Sequence, residues 1–331
     1  MKLDVSMITD KYIYLNDGIY CIDARYICPG NACCYLIVED NEIVIIETGT
    51  AFTVAGIEEA FHHLSLKKEM VRYIIPTHVH LDHAGGAGVL MQKYTNAQLV
   101  IHPRGAKHMI NPDKLVAGSK AVYGERKFKE LYGEVVPVPE NRTLTMQDRD
   151  KIYLKKRILE FRHTPGHAEH HFCIWDKVSQ GWFSGDTFGI SYEKIGGKLN
   201  KFIFPTTSPV QFDPDKLLGS IDLIMEYKPK QIFLTHYGVI KEPSKQAKIL
   251  REQIESYRKI AIELRFSSNR EEKIFNAIKV MTISNIASKF PCYDIKMVED
   301  LLELDFKLNA QGIDIWISKQ NEKNKKKSTE K

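Results

Sequence analysis

The segment Thr77–Gly86, THVHLDHAGG, places three histidines and one aspartate within six residues. Neutral imidazole and carboxylate are the ligands that zinc, iron and manganese share, whereas calcium and magnesium prefer oxygen alone. The segment follows the apolar run YIIP and precedes a helical pattern, which indicates a loop between a strand and a helix. Because successive side chains in such a loop can converge on one point, the segment predicts a transition-metal site.

Three later segments add further ligands. His167 lies in RHTPGHAEHH, Asp186 in FSGDTFG and His236 in FLTHYG, each at the end of an apolar strand-like run and beside glycine or proline. Residues at the same end of several strands can meet at one edge of a sheet, where a site is open to substrate. We therefore expect all of these side chains to belong to one site.

The four segments together resemble the metallo-β-lactamase superfamily, whose pattern is HxHxDH, a TPGH-like turn, a GD turn and a histidine after the last core strand. The resemblance covers about residues 10–240. It implies an α/β fold, the αββα sandwich, and two divalent metal ions, zinc first with iron or manganese as alternatives. The implied ligands are His78, His80 and His167 for one ion, Asp82, His83 and His236 for the other, and Asp186 between them, with Asp82 also assigned as catalytic.

Two divalent ions about 3.5–4 Å apart can share a water and lower its pKa towards neutrality, which supplies a bridging hydroxide as nucleophile. No protein nucleophile is then required, and Ser184 lies outside any GxSxG pattern. The motifs are most similar to those of glyoxalase II-like hydrolases, which implies hydrolysis of a small thioester, lactone or related acyl substrate. Ala168 and Glu47 depart from the threonine and aspartate of glyoxalase II, and its basic glutathione-binding segment is not recognisable in the C-terminal sequence.

Two other functions stay open. Persulfide dioxygenases resemble glyoxalase II but bind one iron through two histidines and an aspartate, which would make this chain an oxidoreductase. Nucleases of the same superfamily are the second alternative, although the large inserted domains that they carry are not found between residues 84 and 240. Metal content and dioxygen consumption separate the oxidoreductase from the hydrolase.

Several residues beside the motifs need an assignment. Glu47 stands where the family usually has an aspartate that hydrogen-bonds the first histidine cluster, so we expect it to support the metal ligands without being one. Tyr192 and Tyr237 are expected to pack, rather than donate to a substrate carbonyl. Ordinary strand positions are the expectation for His163, His170 and His171.

The elements that must position the ligands are short strands broken by helices. Strands are predicted in YCIDARYI, CCYLIVED, EIVIIE and KIYLKKRILEFRHT, and helices in AFTVAGIEEAFHHL and over about residues 213–227. After Glu242 the periodicity becomes helical, with Ile254, Tyr257, Ala261 and Leu264 on one stripe. We therefore predict a catalytic domain over 1–240 and a helical C-terminal region over 241–331 with a disordered lysine-rich tail. This region contains no histidine, so it should shape substrate access or a subunit interface without supplying a metal ligand.

Composition limits the partners. Of the net charge of +5, +4 comes from six lysines and two acidic residues in the last thirteen residues, so the body is nearly neutral, which argues against nucleic-acid binding. The charged N-terminus lacks a secretory signal and the sequence has no membrane-spanning run, so a cytoplasmic protein with a small-molecule substrate is expected. The composition leaves open whether the chain forms a homodimer. The six cysteines form no regular framework and are predicted to be reduced thiols.

Overall fold

The computed structural model describes residues 11–197, 201–207 and 209–329, so the charged N-terminal segment 1–10 lies outside the described residues. The chain forms two compact units. The first comprises Met1–His163, His170–Gly185 and Pro229–Lys241, and the second Thr164–Glu169, Asp186–Lys228 and Glu242–Lys331. The first unit ends at Lys241, and the second unit includes two internal segments, Thr164–Glu169 and Asp186–Lys228, that lie within the predicted catalytic domain over 1–240.

The first unit contains two β-sheets. The sheet order is β1-β2-β3-β4-β5-β6-β7 in one and β13-β12-β11-β10-β9-β8 in the other. Neighbouring strands are antiparallel except for β4-β5, β5-β6, β6-β7 and β11-β12, which are parallel. The strands are β1 Ile13–Tyr14, β2 Ile19–Asp23, β3 Cys33–Glu39, β4 Glu42–Ile46, β5 Val71–Ile75, β6 Gln98–Ile101, β7 Thr143–Thr145, β8 Lys151–Tyr153, β9 Ile158–His163, β10 Phe172–Asp176, β11 Gly181–Phe183, β12 Gln231–Leu234 and β13 Gly238–Ile240.

Strand β4 shows why these sequences form a sandwich. Its residues alternate between two cores: Ile43 and Ile45 face one hydrophobic cluster, and Val44 and Ile46 face another. Because side chains alternate along a strand, a run that is apolar throughout buries both faces of its sheet. The second cluster includes residues of both sheets, such as Phe161, and so lies between them.

Ten α-helices lie within the described residues. In the first unit, α1 and α3 contribute Ile57 and Leu90 to the cluster on the outer face of the first sheet. The helices are α1 Thr53–His63, α2 Leu81–Ala84, α3 Ala87–Lys93, α4 Pro103–Ile110, α5 Asp113–Tyr123, α6 Glu125–Tyr132, α7 Pro214–Glu226, α8 Pro243–Leu264, α9 Arg270–Lys289 and α10 Ile295–Thr329, with short 3₁₀ turns at Lys68–Met70 and Glu140–Arg142. None of the described helices is both long and apolar enough to cross a membrane.

Three differences from the sequence-based expectations have physical causes. The predicted strand KIYLKKRILEFRHT is two strands, because the charged LKKR stretch turns the chain between β8 and β9. Helices α4, α5 and α6 were not predicted. The lysine-rich end, expected to be disordered, continues α10 as far as Thr329, since it contains no glycine or proline and its lysine, glutamate and glutamine residues tolerate a helix well; Glu330 and Lys331 lie outside the described residues.

In the second unit, the predicted apolar stripe of α8 is buried at Ile254, Tyr257 and Ala261. Helices α9 and α10 share a cluster with the segment after Asp186: Ile286 and Phe306 pack with residues that include Ile190, Tyr192, Phe202 and Phe204. The C-terminal helices therefore complete the core of the second unit.

We expect a chain that ends after Lys241 to be insoluble or to lose its cooperative thermal transition. The truncation would expose the cluster around Phe204, in which each large apolar side chain contributes roughly 1.5–3 kcal/mol when buried, against a typical total stability of about 5–15 kcal/mol. A chain ending after Gln320, which loses only the lysine-rich end, is the control and should stay folded. Calorimetry and solubility measure both; a cooperatively folded 1–241 fragment would contradict the expectation.

Candidate metal centre

The first histidine cluster begins where β5 ends. Pro76 ends the strand pairing, and the loop that follows carries His78 and His80 before the single-turn helix α2 begins. The Nε2 atom of His78 lies 2.8 Å from Nδ1 of His80, and the two rings are nearly perpendicular. The HxH spacing therefore brings two imidazole nitrogens to one point, as the sequence predicted.

Asp82, His83 and His236 form a second group of donors in the first unit. Helix α2 supplies Asp82 and His83, and the chain beyond β12 supplies His236; one donor atom from each lies within 4.8 Å of the others. Asp82 Oδ2 is 3.3 Å from His236 Nε2 and 3.7 Å from His83 Nε2, and the two Nε2 atoms are 3.4 Å apart. Ligands about 2.1 Å from a tetrahedral ion are separated by about 3.4 Å, so this donor set fits a divalent metal ion.

Glu47 lies at the centre of the hydrogen bonds behind these ligands. Its side chain is 1% exposed, and it accepts from the Thr77 N–H at 3.1 Å, the Thr77 hydroxyl at 2.6 Å, the Thr235 hydroxyl at 2.9 Å and His83 Nδ1 at 3.0 Å. A buried carboxylate is costly unless it is hydrogen-bonded, and these four donors compensate it. Glu47 therefore supports the first histidine cluster, as predicted from its position in the sequence.

This arrangement fixes the tautomers of three histidines. His83 donates Nδ1–H to Glu47, and His236 donates Nδ1–H to the Asn31 carbonyl at 3.0 Å. The Thr77 hydroxyl gives its proton to Glu47, so it accepts from Nδ1–H of His78 at 3.1 Å. In each of these rings Nε2 is then the unprotonated nitrogen, and its lone pair is free to bind a metal ion.

The second unit contains the other two predicted ligands, His167 and Asp186. His167 Nε2 lies 3.4 Å from Asp186 Oδ2, and both side chains are almost fully buried. His167 donates Nδ1–H to the Thr206 carbonyl at 3.3 Å. The TPGH turn requires its glycine, because Gly166 has φ +127° and an added Cβ would lie 2.3 Å from the Leu217 backbone nitrogen. The assignment of all seven residues to one pair of ions stays a prediction.

The three histidines that flank the TPGH turn differ in their contacts. His163 donates Nε2–H to the Met146 carbonyl at 2.9 Å and packs on the His102 ring, so it has a structural role. His170 and His171 were expected to be ordinary strand positions, yet both contact the first cluster. The His171 ring stacks 4.8 Å from that of His78, and His170 Nδ1 accepts from the Val79 N–H at 3.4 Å.

The two tyrosines pack as predicted. Tyr237 is 6% exposed and belongs to the core between the sheets. The hydroxyl of Tyr192 donates to Asp305 Oδ1 at 2.9 Å, on α10 of the same unit. Sequence analysis missed Thr77 and Thr235, although each directly precedes a ligand in a Thr-His pair, and that repeated dipeptide was the available signal.

Burial, together with the nearby positive charges of His163, His170 and Arg104, lowers the pKa of His102 to about 3. Between about pH 6.5 and pH 3 the unfolded chain therefore binds a proton at His102 that the folded chain does not, so stability falls as the pH drops through this window. His102→Asn keeps a side-chain acceptor for the Arg104 N–H at the start of α4. We expect its melting temperature to fall less between pH 6 and pH 4 than that of the wild type; equal slopes would contradict this cause.

A sandwich of two mixed sheets, with histidines and carboxylates gathered at strand ends, defines a metal-binding α/β protein. Residues 29–236 match the sequence model of the metallo-beta-lactamase superfamily. The chain therefore belongs to the metallo-β-lactamase superfamily, and the predicted αββα fold class is confirmed.

Three relatives illustrate the similarity. The metallo-beta-lactamase fold-containing protein ST1585 of Sulfurisphaera tokodaii is 26% identical over 216 residues, covering 64% of this chain and 75% of that one. The human acyl-coenzyme A thioesterase MBLAC2 is 29% identical over 191 residues, covering 52% of this chain and 64% of the relative. The crystal structure of TTHA1429 from Thermus thermophilus is 17% identical with a TM-score of 0.66, covering 93% of this chain and 95% of that one, and it shares the fold.

Proposed function

We propose that this protein is a binuclear metal-dependent hydrolase of an acyl thioester. The observation that carries the proposal is the donor set Asp82, His83 and His236, whose separations suit one ion and whose histidine tautomers are fixed by buried partners. MBLAC2, a similar chain in the same superfamily, is named for thioester hydrolysis, which favours a thioester over a lactone. The match covers 64% of MBLAC2.

The residues that would hold the ions are those implied by the family pattern. His78, His80 and His167 would bind one ion, Asp82, His83 and His236 the other, and Asp186 would lie between them. When bound, the ions supply a lowered pKa for water and stabilise negative charge on a carbonyl oxygen. Zinc fits the donor set, and iron or manganese would also suit histidine and carboxylate.

The chain's own residues hold the ligands and move protons. Glu47 and the Asn31 carbonyl keep His83 and His236 in the tautomers described above. Asp82 is 21% exposed, so its carboxylate can take the proton of the attacking water and return it to the departing thiolate as the C–S bond breaks. Ser184 is fully buried and donates to the Gly185 carbonyl at 3.3 Å, so it is not placed to act as a nucleophile.

The test is a substrate panel assayed on the 331-residue chain as purified, with the metal that it retains from expression and no metal added. We expect acyl thioesters to be hydrolysed faster than lactones or phosphodiesters, with no dioxygen consumed in the presence of a persulfide. Metal analysis of the same preparation should give about two ions per chain. Dioxygen consumption by a protein with one iron would support a persulfide dioxygenase, and preferred cleavage of phosphodiesters would support a nuclease; either result would overturn the proposal.

A further inference from the structure

The C-terminal helix α10 of the second unit carries a buried polar side chain, Asn309, which is 1% exposed. Its Oδ1 atom accepts from the Thr207 N–H at 2.7 Å, and its Nδ2 atom donates to the Pro205 carbonyl at 3.2 Å. In return, the Thr207 hydroxyl donates to the backbone carbonyl of Asn309 at 2.9 Å. Asn309 therefore holds the residues on both sides of Thr206.

Thr206 provides the carbonyl that accepts from Nδ1–H of His167 at 3.3 Å. The orientation of that carbonyl is set by the two peptide units that Asn309 holds, because each peptide is planar and Pro205 has a restricted φ. The carbonyl in turn keeps the His167 proton on Nδ1 and directs the Nε2 atom towards Asp186, 3.4 Å away. A continuous set of contacts thus connects α10 to the ring of His167.

A glycine of α10, Gly312, lies close to this segment. A Cβ added to Gly312, three residues after Asn309, would lie 2.7 Å from the Thr207 hydroxyl oxygen and 3.0 Å from the Thr207 carbonyl oxygen. Contacts below 3.0 Å force a displacement. Gly312 therefore permits the approach that the Asn309 hydrogen bonds require.

We propose that Asn309 is a positioning residue for the metal ligand His167, acting through the Thr206 carbonyl. The C-terminal helices supply no histidine, but they set the tautomer and ring orientation of a ligand that another segment carries. Partners of metal-bound histidines fix both properties, and their loss typically lowers metal affinity roughly 10- to 100-fold. The inference rests on the proposed function insofar as His167 is taken to be a ligand.

The experiment compares the zinc affinity of Asn309→Ala with that of a matched control, Leu302→Ala. Leu302 is buried two turns earlier on α10, in the apolar cluster with Phe306. We expect Asn309→Ala to bind one of the two zinc ions about 10- to 100-fold more weakly in competition with a chelator. Leu302→Ala should lower the melting temperature with less than about a twofold change in zinc affinity. Equal zinc affinity for Asn309→Ala and the wild type, or equal losses in both variants, would overturn the inference.

A pair of milder variants, at Thr207, tests the same contact if Asn309→Ala does not fold. Thr207→Val removes the hydroxyl that donates to Asn309 without changing the side-chain shape, and Thr207→Ser retains it. We expect a loss of zinc affinity of roughly 2- to 10-fold for the valine variant, the usual effect of one hydrogen bond, and recovery in the serine variant. Equal affinity for the two variants would contradict the role of this contact.

A readout without metal separates this inference from the proposed function. In the zinc-free protein, nitrogen NMR of the His167 ring should show a protonated Nδ1 in the wild type and in Leu302→Ala, and a mixture of tautomers in Asn309→Ala. An unchanged Nδ1 signal in Asn309→Ala would overturn the inference. A wild-type protein that binds no zinc but shows the expected NMR difference would contradict the proposed function alone.

Discussion

Replacement of Asp186 by alanine is expected to abolish binding of the second ion and to lower the hydrolytic rate at least about 100-fold. Loss of a residue that merely supports a ligand already costs roughly 10- to 100-fold, and Asp186 is predicted to contact both ions. Its Oδ2 atom also lies 3.4 Å from His167 Nε2 in the second unit. Metal analysis after dialysis and the initial rate with an acyl thioester measure the two effects.

Asp176→Ala is the matched control. Asp176 is fully buried and Asp186 almost so, but Asp176 accepts from the Val178 and Ser179 N–H groups and lies 3.5 Å from Arg157. Its loss should destabilise the fold while the folded fraction keeps about two ions. If Asp186→Ala retains the same metal content as Asp176→Ala, Asp186 is not a bridging ligand.

Glu47→Gln is expected to weaken metal binding about 10- to 100-fold although Glu47 is not a ligand. The amide nitrogen of glutamine cannot accept the hydrogen bonds that the carboxylate receives from Thr77, Thr235 and His83. At least one donor would lose its partner in a fully buried position, and the Nδ1 proton of His83 would no longer be held. Chelator competition gives the affinity, and calorimetry gives the stability of the metal-free protein.

Two further variants distinguish this role from general destabilisation. Thr235→Val removes one of the donors to Glu47 but leaves the hydrogen bond between Glu47 and His83 in place. It should therefore weaken metal binding less than Glu47→Gln does. Glu39→Gln makes the same chemical change at a carboxylate that pairs with Arg157 at 3.6 Å, remote in sequence from every motif. A Glu39→Gln protein with the same loss of metal affinity would show that the effect at Glu47 is not specific.

The predicted ligands were accessible from sequence because metal chemistry selects residue types and because local turns set their spacing. His78, His80, Asp82 and His83 lie within one loop and one helical turn, so their convergence in the first unit needed little tertiary information. The role of Thr235 could not be read in the same way. It contacts Glu47 across 188 residues of sequence, and the two residues follow strands β4 and β12, which belong to different sheets of the first unit.

In the C-terminal region the sequence revealed the buried face of one helix but not the role of a single polar residue. The helical period of α8 identified its buried face, because an amphipathic stripe is a local property. The importance of Asn309 could not be inferred from that period, since a single asparagine in a helix gives no sign of the backbone it will hold. Helices α5 and α6 were also missed, because the first has no buried residue and the second only Phe128 and Tyr132.

The interleaved order of the two units along the chain has a consequence for protein synthesis. The chain passes repeatedly from one unit to the other, and the first unit needs strands β12 and β13, close to Lys241, to finish its second sheet. During translation, strands β8 to β11 are therefore made before β12, so β11 has an unpaired edge until β12 is synthesised. Unpaired strand edges favour aggregation. The first unit is therefore expected to fold only after β13 has been synthesised, and yield in cells should depend on chaperone capacity more strongly than for a protein whose domains follow one another in sequence.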